Sequence, residues 1–214
     1  MKYQLSIIIP THNEEKNIAT CINKIPEFEW KTEIIVSDDG TDNTAKRARE
    51  LAKKRNNMLV IQSPKKLGKG GGFLKGLEKA TGEVVVILDA DYTVDPSELK
   101  KLVMPIFNNE ADFVNGSRVI FPMEEGAMSF FHKIGNRVFA LLTSLIIRKY
   151  LTDVFCGSKA FKRELLKGKL KEREWPDLEL IFEAKKNNLR IKEIPVHYKA
   201  RKGGESKLST FETG

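Results

Sequence analysis

Apolar and polar positions follow two periods along this chain. Short runs that are almost wholly apolar, Leu5–Ile9, Met58–Ile61 and Glu83–Leu88, predict strands covered on both faces. Glu33–Val36, Asp112–Asn115 and Arg190–Ile194 read as further strands, and Val154–Phe161 as extended. Between them the period lengthens to that of a helix: Glu14–Ile25, a segment capped at Asp42 or Thr44 and running to about Arg55, Gly68–Ala80, and Asp177–Asn187. Asp95-Pro96 marks another helix start, with Asp at the cap and Pro at the first helical position. Strands that alternate with helices predict an α/β fold, a mostly parallel sheet with helices on both sides. Ligands of such sheets lie beyond the carboxyl ends of the strands. Three polar segments leave strands directly and are the places to look: Pro10–Glu14, Asp38–Gly40 and Asp89–Asp91.

Ser129–Ile147 has a different character. Phe130, Ile134, Val138, Leu142 and Ile146 share one helical face, while Phe131 and Phe139 face elsewhere. Its densest stretch, Val138–Ile147, falls short of the ~20 residues a bilayer span needs. The segment reads as a helix resting on a membrane or as a core helix.

With 214 residues the chain suits one domain over 1–198, divided at about residue 118 into a first half and a second half that carries this helix. Residues 199–214 form a basic, Gly-rich tail expected to be mobile. The net charge of +8 points to an anionic partner. Nucleic acid is disfavoured, because no basic-aromatic interleaving is visible. Cys21 and Cys156 show neither zinc spacing nor a disulfide framework, so a reducing compartment is expected. The N-terminal apolar run ends at once in Pro10, unlike a signal peptide.

The chemistry concentrates at the strand exits. Asp89 and Asp91, spaced i, i+2 on an extended chain, point the same way and can share one hard divalent cation, Mg2+ or Mn2+. A cation so held neutralises a diphosphate leaving group. Asp38 and Asp39 can accept hydrogen bonds from a nucleobase imide or a ribose hydroxyl, although on its own Asp-Gly reads more readily as a turn pair. Leu67–Gly72 is neither a Walker loop nor Gly-x-Gly-x-x-Gly; it is a flexible, cationic helix start carrying Lys69. Arg118, after the fifth strand, can reach a phosphate.

Together these segments resemble the inverting family 2 glycosyltransferases, and most of all the polyprenyl-phosphate (dolichyl-phosphate) branch. The matching stretches are Ser6–Glu15, Glu33–Asp42, Gly68–Ala80, Val84–Pro96, Gly116–Arg118, Thr152–Glu164 and Glu193–Leu208, with Asp153–Phe161 the most specific to that branch. The resemblance implies a glycosyltransferase A-type fold with a Rossmann-like half. It implies a nucleotide-sugar donor against Pro10, Thr11, Glu14, Asp38, Asp39, Lys69 and the Asp89-Ala90-Asp91 motif, and a divalent cation on Asp89 and Asp91. It suggests Arg118, Arg201 and Lys207 beside the acceptor phosphate, and the helical segment Ser129–Ile147 on the cytoplasmic face of a membrane. Many relatives continue into transmembrane helices, and none follows here before Gly214.

Three departures qualify the match. Thr93 stands where mannosyl-type relatives carry Gln, the Asp38–Asp42 loop is one residue short, and His132 stands where relatives often have Arg. Asp177 looks like an acid of glucosyl-type relatives. It tilts the donor toward UDP-glucose or a UDP-N-acetylhexosamine over GDP-mannose. The implied reaction is a single inverting displacement, with Asp91, Asp177 and Arg118 as its catalytic groups. A lipid phosphate acceptor needs cations and no base, leaving Asp177 to orient the sugar; a saccharide hydroxyl needs Asp177 as a base. A module that binds nucleotide without catalysis is the rival from another class.

Overall fold

The computed structural model describes residues 3–174 and 176–200. Seven strands form one sheet: β1 (Leu5–Thr11), β2 (Thr32–Asp38), β3 (Met58–Gln62), β4 (Val84–Ile87), β5 (Phe113–Ser117), β6 (Lys159–Lys162) and β7 (Ile191–Pro195). Their order is β3-β2-β1-β4-β6-β5-β7. All neighbouring pairs are parallel except those of β6, which runs antiparallel to both β4 and β5. The helices are α1 (Ile18–Asn23), α2 (Thr44–Ala52), α3 (Gly68–Lys79), α4 (Leu99–Phe107), α5 (Phe130–Ile147), α6 (Arg163–Leu166) and α7 (Pro176–Lys186). Two apolar cores flank the sheet. One takes alternate residues Leu5, Ile7, Ile9, Val84, Val86 and Leu88 with α1 and α4; the other takes Ile8, Val85 and Ile87 with α3 and α7. A sheet buried on both faces explains why Ile7–Ile9 of β1 and all of β4 are apolar.

The periodic reading holds for these elements with shifts at their ends. The helix predicted from Glu14 begins only at Ile18, because residues 15–17 turn under hydrogen bonds from the α2 side: Glu15 N donates to Asp42 Oδ2. Asp95 caps a short 3-10 turn at Pro96–Glu98, accepting from Ser97 N at 3.0 Å, and α4 follows. The extended reading of Val154–Phe161 is right only at its end, where β6 starts at Lys159; the preceding residues form a loop that carries functional groups.

Helix α5 is inside out relative to a core helix. Its buried positions are Asn136, Ala140, Thr143 and Ile147, and its large apolar side chains face outward. Phe131 is 81% exposed and Leu145 67%, against 4% for Asn136. At 18 residues it also reaches the lower bound of length and apolarity for crossing a bilayer, which corrects the expectation drawn from Val138–Ile147 alone. Ile134, Val138, Leu142 and Ile146 do share the outer face, but Phe131 and Phe139 join them there.

Candidate active site

The parallel strands β1, β2 and β4 end side by side, and their exits supply the site. Thr11 and Asp38 are register partners at the ends of β1 and β2. Thr11 Oγ1 donates to Asp38 Oδ1 at 2.7 Å, whereas Asp38 Oδ2 is buried and has no hydrogen-bond partner. Burial pushes the Asp38 carboxyl above its ordinary range. A buried carboxylate oxygen without a donor is costly, and a ligand N–H or O–H would relieve that cost. The next residue, Asp39, lines a cleft of about 620 Å³ together with His12, Thr41, Ser63 and Lys66 among others, a volume of ligand size.

Asp39 has a different task from Asp38. Its Oδ2 accepts from Leu67 N at 2.6 Å and Gly68 N at 3.0 Å, and its Oδ1 meets His12 Nδ1 at 2.7 Å. Both oxygens are engaged, so the carboxylate fastens the start of α3 to the end of β2. Glu14 is buried, its Oε2 accepting from Asn17 Nδ2 at 2.9 Å. Pro10 is half-buried one position before Thr11.

The second group of acids lies at the exit of β4. Asp89 and Asp91 are half-exposed around the buried Ala90. Asp91 Oδ1 accepts from Thr93 N (3.1 Å) and Thr93 Oγ1 (2.8 Å), a tight turn completed by Tyr92 at a left-handed φ of 62°. Lys69, on the first turn of α3, reaches both Asp89 oxygens, at 2.9 and 3.1 Å. Its ammonium also lies 4.0 Å from Asp177 Oδ2 on α7. Burial alone would lower Lys69, but Asp89 and Asp177 outweigh it and hold the amine above the usual lysine range. Asp177 is itself buried, and its Oδ1 accepts from Lys159 Nζ at 3.0 Å. Lys159 is wholly buried on β6 and also donates to the Cys156 carbonyl. Gly157 packs directly on the Asp89–Lys69 pair; a Cβ there would overlap both.

Arg118 is fixed rather than free. Its Nε and Nη2 donate to Asp153 Oδ2 and Oδ1 at 2.7 and 2.9 Å, its backbone N–H donates to the same carboxylate at 3.0 Å, and its guanidinium lies 5.1 Å from the Tyr198 ring. Burial alone would raise the Asp153 carboxyl, but Arg118 outweighs it and holds it below the usual range. Glu193 anchors the same loop by accepting from Thr152 N and Asp153 N. Tyr198 bridges to Val94, and Lys199 N donates to the Thr93 carbonyl at 2.8 Å, so the strap after β7 lies along the Asp89–Asp91 loop. The structure therefore brings Thr11 with Asp38, and Lys69, Asp89 and Asp177 with each other. Arg201 and Lys207 lie outside the described residues.

Sequence reasoning missed Asp153, Lys159 and Tyr198. Asp153 and Lys159 both sit in the segment most specific to the resemblance, and a lysine on a strand beside Ala160 and Phe161 is itself a signal that a carboxylate must meet it. Among the described residues no group of three or more His, Cys, Asp or Glu side chains is placed to hold a metal. Two carboxylates still fit Mg2+ or Mn2+, which commonly take one or two carboxylates and complete their shell with substrate phosphates and water.

Residues 6–168 match the family model of glycosyl transferase family 2. The chain belongs to that family. A UDP-N-acetylglucosamine–dolichyl-phosphate N-acetylglucosaminyltransferase of Methanococcus voltae is 33% identical over 209 residues, covering 89% of this chain and 83% of that protein. A hexosyltransferase of low-salt glycan biosynthesis from Haloferax volcanii is 32% identical over 218 residues, and there the chain spans 98% of itself but 51% of the relative. Among solved structures, glucosyl-3-phosphoglycerate synthase of Mycobacterium tuberculosis, in complex with Mn2+, UDP-glucose and phosphoglyceric acid, superposes with a TM-score of 0.74 at 22% identity, over 95% of this chain and 73% of that one. This last likeness bears on the fold, which agrees with the expected glycosyltransferase A type.

Proposed function

We propose that this glycosyltransferase moves a glucosyl or N-acetylhexosaminyl group from a UDP-sugar to a polyprenyl phosphate at a membrane surface, inverting the anomeric configuration. The observation that carries the reading is the row of strand exits: an unpartnered Asp38 oxygen beside a ligand-sized cleft, and a cluster of Asp89, Asp91, Asp177 and Lys69 next to it. Asp38 accepts the N–H of the nucleobase, with Thr11 holding it in place. Asp89 and Asp91 hold Mg2+ or Mn2+, which when bound supplies charge stabilisation for the departing diphosphate. Lys69 adds a cation on the same side. The donor nucleotide and sugar of the Methanococcus relative support the UDP-sugar assignment.

Asp177 orients the sugar in this scheme. Ammonium groups face both of its oxygens, at 3.0 and 4.0 Å, so the carboxylate is held by Lys159 and Lys69 in a fixed orientation. The acceptor then needs to be anionic already, as a lipid phosphate is. Arg118, oriented by Asp153, together with Arg201 and Lys207, positions that phosphate.

The outward apolar face of α5 supports the membrane assignment. Lys133, Arg137, Arg148 and Lys149 are exposed on and just beyond the helix. Each basic residue near an anionic leaflet contributes roughly 1 kcal/mol, and the apolar face adds burial in the acyl boundary. Free, buried Cys21 and Cys156 accord with a cytoplasmic face.

The test is transfer of labelled sugar from UDP-N-acetylglucosamine, UDP-glucose and GDP-mannose to dolichyl phosphate or to a free oligosaccharide, with manganese present. We expect transfer from a UDP-sugar to the lipid phosphate, and a loss of at least about a thousandfold in Asp89→Asn and Asp91→Asn, equivalent to ~4 kcal/mol of barrier. Transfer to the oligosaccharide alone would overturn the acceptor, and use of GDP-mannose alone would overturn the nucleotide.

A further inference from the structure

Lys69 occupies the position where a cation on Asp89 belongs. Its ammonium lies 2.9 and 3.1 Å from the two Asp89 oxygens, the reach of a direct ion pair. A divalent cation coordinated by the same carboxylate would come within a few ångströms of that ammonium, and two positive charges so close repel strongly in a half-buried site. One of them must move.

The surroundings fix which part moves. The first turn of α3 is fastened from both sides: Asp39 Oδ2 accepts from Leu67 N and Gly68 N, and Gly71 N donates to the Arg173 carbonyl at 2.9 Å. Gly70 lies so near the Glu172 and Arg173 backbone that a Cβ would overlap it. The helix start cannot retreat, so only the Lys69 side chain can swing. Asp177 Oδ2, 4.0 Å away, is a partner it can keep, because Lys159 holds the other Asp177 oxygen.

We infer that Lys69 is a built-in counter-ion that closes the Asp89 site in the free protein and is released by the incoming nucleotide. The inference rests on the metal and nucleotide assignment above and goes beyond it. A divalent cation arriving alone must displace an ammonium whose other carboxylate partner within 4.0 Å, among the described residues, is Asp177. A cation arriving with a nucleoside diphosphate gives that ammonium a phosphate anion in exchange. Metal and nucleotide therefore bind cooperatively, each raising the affinity for the other by the same factor. The device keeps Asp89 neutralised between turnovers, and discriminates against metal binding without donor.

The experiment is titration of Mn2+, followed by the electron paramagnetic resonance signal of free Mn2+, with and without UDP, on the wild type and on Lys69→Met and Lys69→Arg. In the wild type we expect UDP to tighten Mn2+ at least about tenfold, within the usual range of coupling between sites. In Lys69→Met we expect Mn2+ alone to bind about tenfold tighter than in the wild type, UDP to bind more weakly, and the coupling to fall well below the wild-type value, toward the part that the direct attraction of metal and diphosphate supplies. In Lys69→Arg, whose fork grips a carboxylate through two nitrogens, we expect Mn2+ alone to bind more weakly than in the wild type. Unchanged or weaker Mn2+ binding by a folded Lys69→Met protein, with coupling intact, overturns the counter-ion role. No Mn2+ binding by the wild type even with UDP overturns the metal and nucleotide assignment itself, a separate failure.

Discussion

The two halves of the sheet hold their charged groups in opposite ways. At the exits of β1, β2 and β4 the pairing is looser: Asp38 keeps one oxygen without a hydrogen-bond partner, and Asp89 and its partner Lys69 are both partly exposed. Around β5, β6 and β7 the charges are locked to each other. Arg118 is forked onto Asp153, Lys159 is buried against Asp177, and Glu193 pins the loop at Thr152. On the proposed reading, the first half is the one that accepts a ligand. The second is organised to hold cations and a loop in one geometry, with its unpaired surface, the apolar face of α5, displaced to the outside. This contrast predicts opposite responses to removing a carboxylate from each half.

The largest response is expected at Asp153. Its carboxylate is fully buried and receives three hydrogen bonds from Arg118 alone. Removing one partner of such a pair strands the other charge, so Asp153→Ala should cost about 3–5 kcal/mol in urea unfolding. The sign with pH is set by the lowered Asp153 carboxyl. Its contribution is complete above the ordinary aspartate value of 3.8 and is lost as pH falls through the lower folded value. Asp153→Asn should therefore be less stable at pH 7 and lose less stability than the wild type on acidification below that value. Equal acid limbs in the two proteins would show that the pair contributes nothing.

The halves also differed in how far they could be read from the chain. Runs such as Ile7–Ile9 and Val84–Leu88 announce themselves because burial on both faces removes every polar position, and the acids that follow stand out against them. The exits that carry Asp38 and Asp89 flank that of β1 because β1 lies between β2 and β4 in the sheet. Nothing local announces that β6 reverses direction between β4 and β5, because antiparallel insertion depends on tertiary contacts and not on its own four residues. Periodicity found α5 but not which way it faces: Asn136 and Thr143 look like surface residues and are the buried seam, since Asn136 meets the loop at Thr152 and Val154. For the same reason Arg118 read as a free cation. Its partner lies 35 residues on, and only the fold brings Asp153 to it.

An intermediate effect is expected on the outer face of α5. Leu142, Leu145 and Ile146 are all exposed, so replacing all three with Glu removes little packing and should change unfolding free energy by less than about 1 kcal/mol. Each apolar side chain is worth up to roughly 1.5–3 kcal/mol when fully buried, so binding to vesicles containing anionic lipid should fall at least about a hundredfold. Flotation of the triple variant alongside the wild type would break the membrane assignment; loss of flotation with transfer to a short, water-soluble polyprenyl phosphate intact would sharpen it, by separating docking from chemistry.

The smallest effect, and the one that most directly opposes Asp153, is expected at Asp38. Burial lifts its carboxyl above the ordinary value of 3.8, so the ionised form costs the fold stability at neutral pH, and that cost is relieved as pH falls through the raised value. Asp38→Asn should be neutral or slightly stabilising, the reverse of Asp153→Asn. Binding should move the other way. A carboxylate accepts the nucleobase N–H as a charged hydrogen bond, and losing that charge should weaken UDP about tenfold at pH 7 by calorimetry. In the wild type UDP affinity should decline on acidification as Asp38 takes up its proton, at a higher pH than an ordinary aspartate would, whereas Asp38→Asn should lack that decline. A variant that binds UDP as tightly as the wild type would mean that the unpartnered oxygen meets something other than the nucleotide. A variant that loses both binding and stability would place Asp38 with the locked charges of the other half.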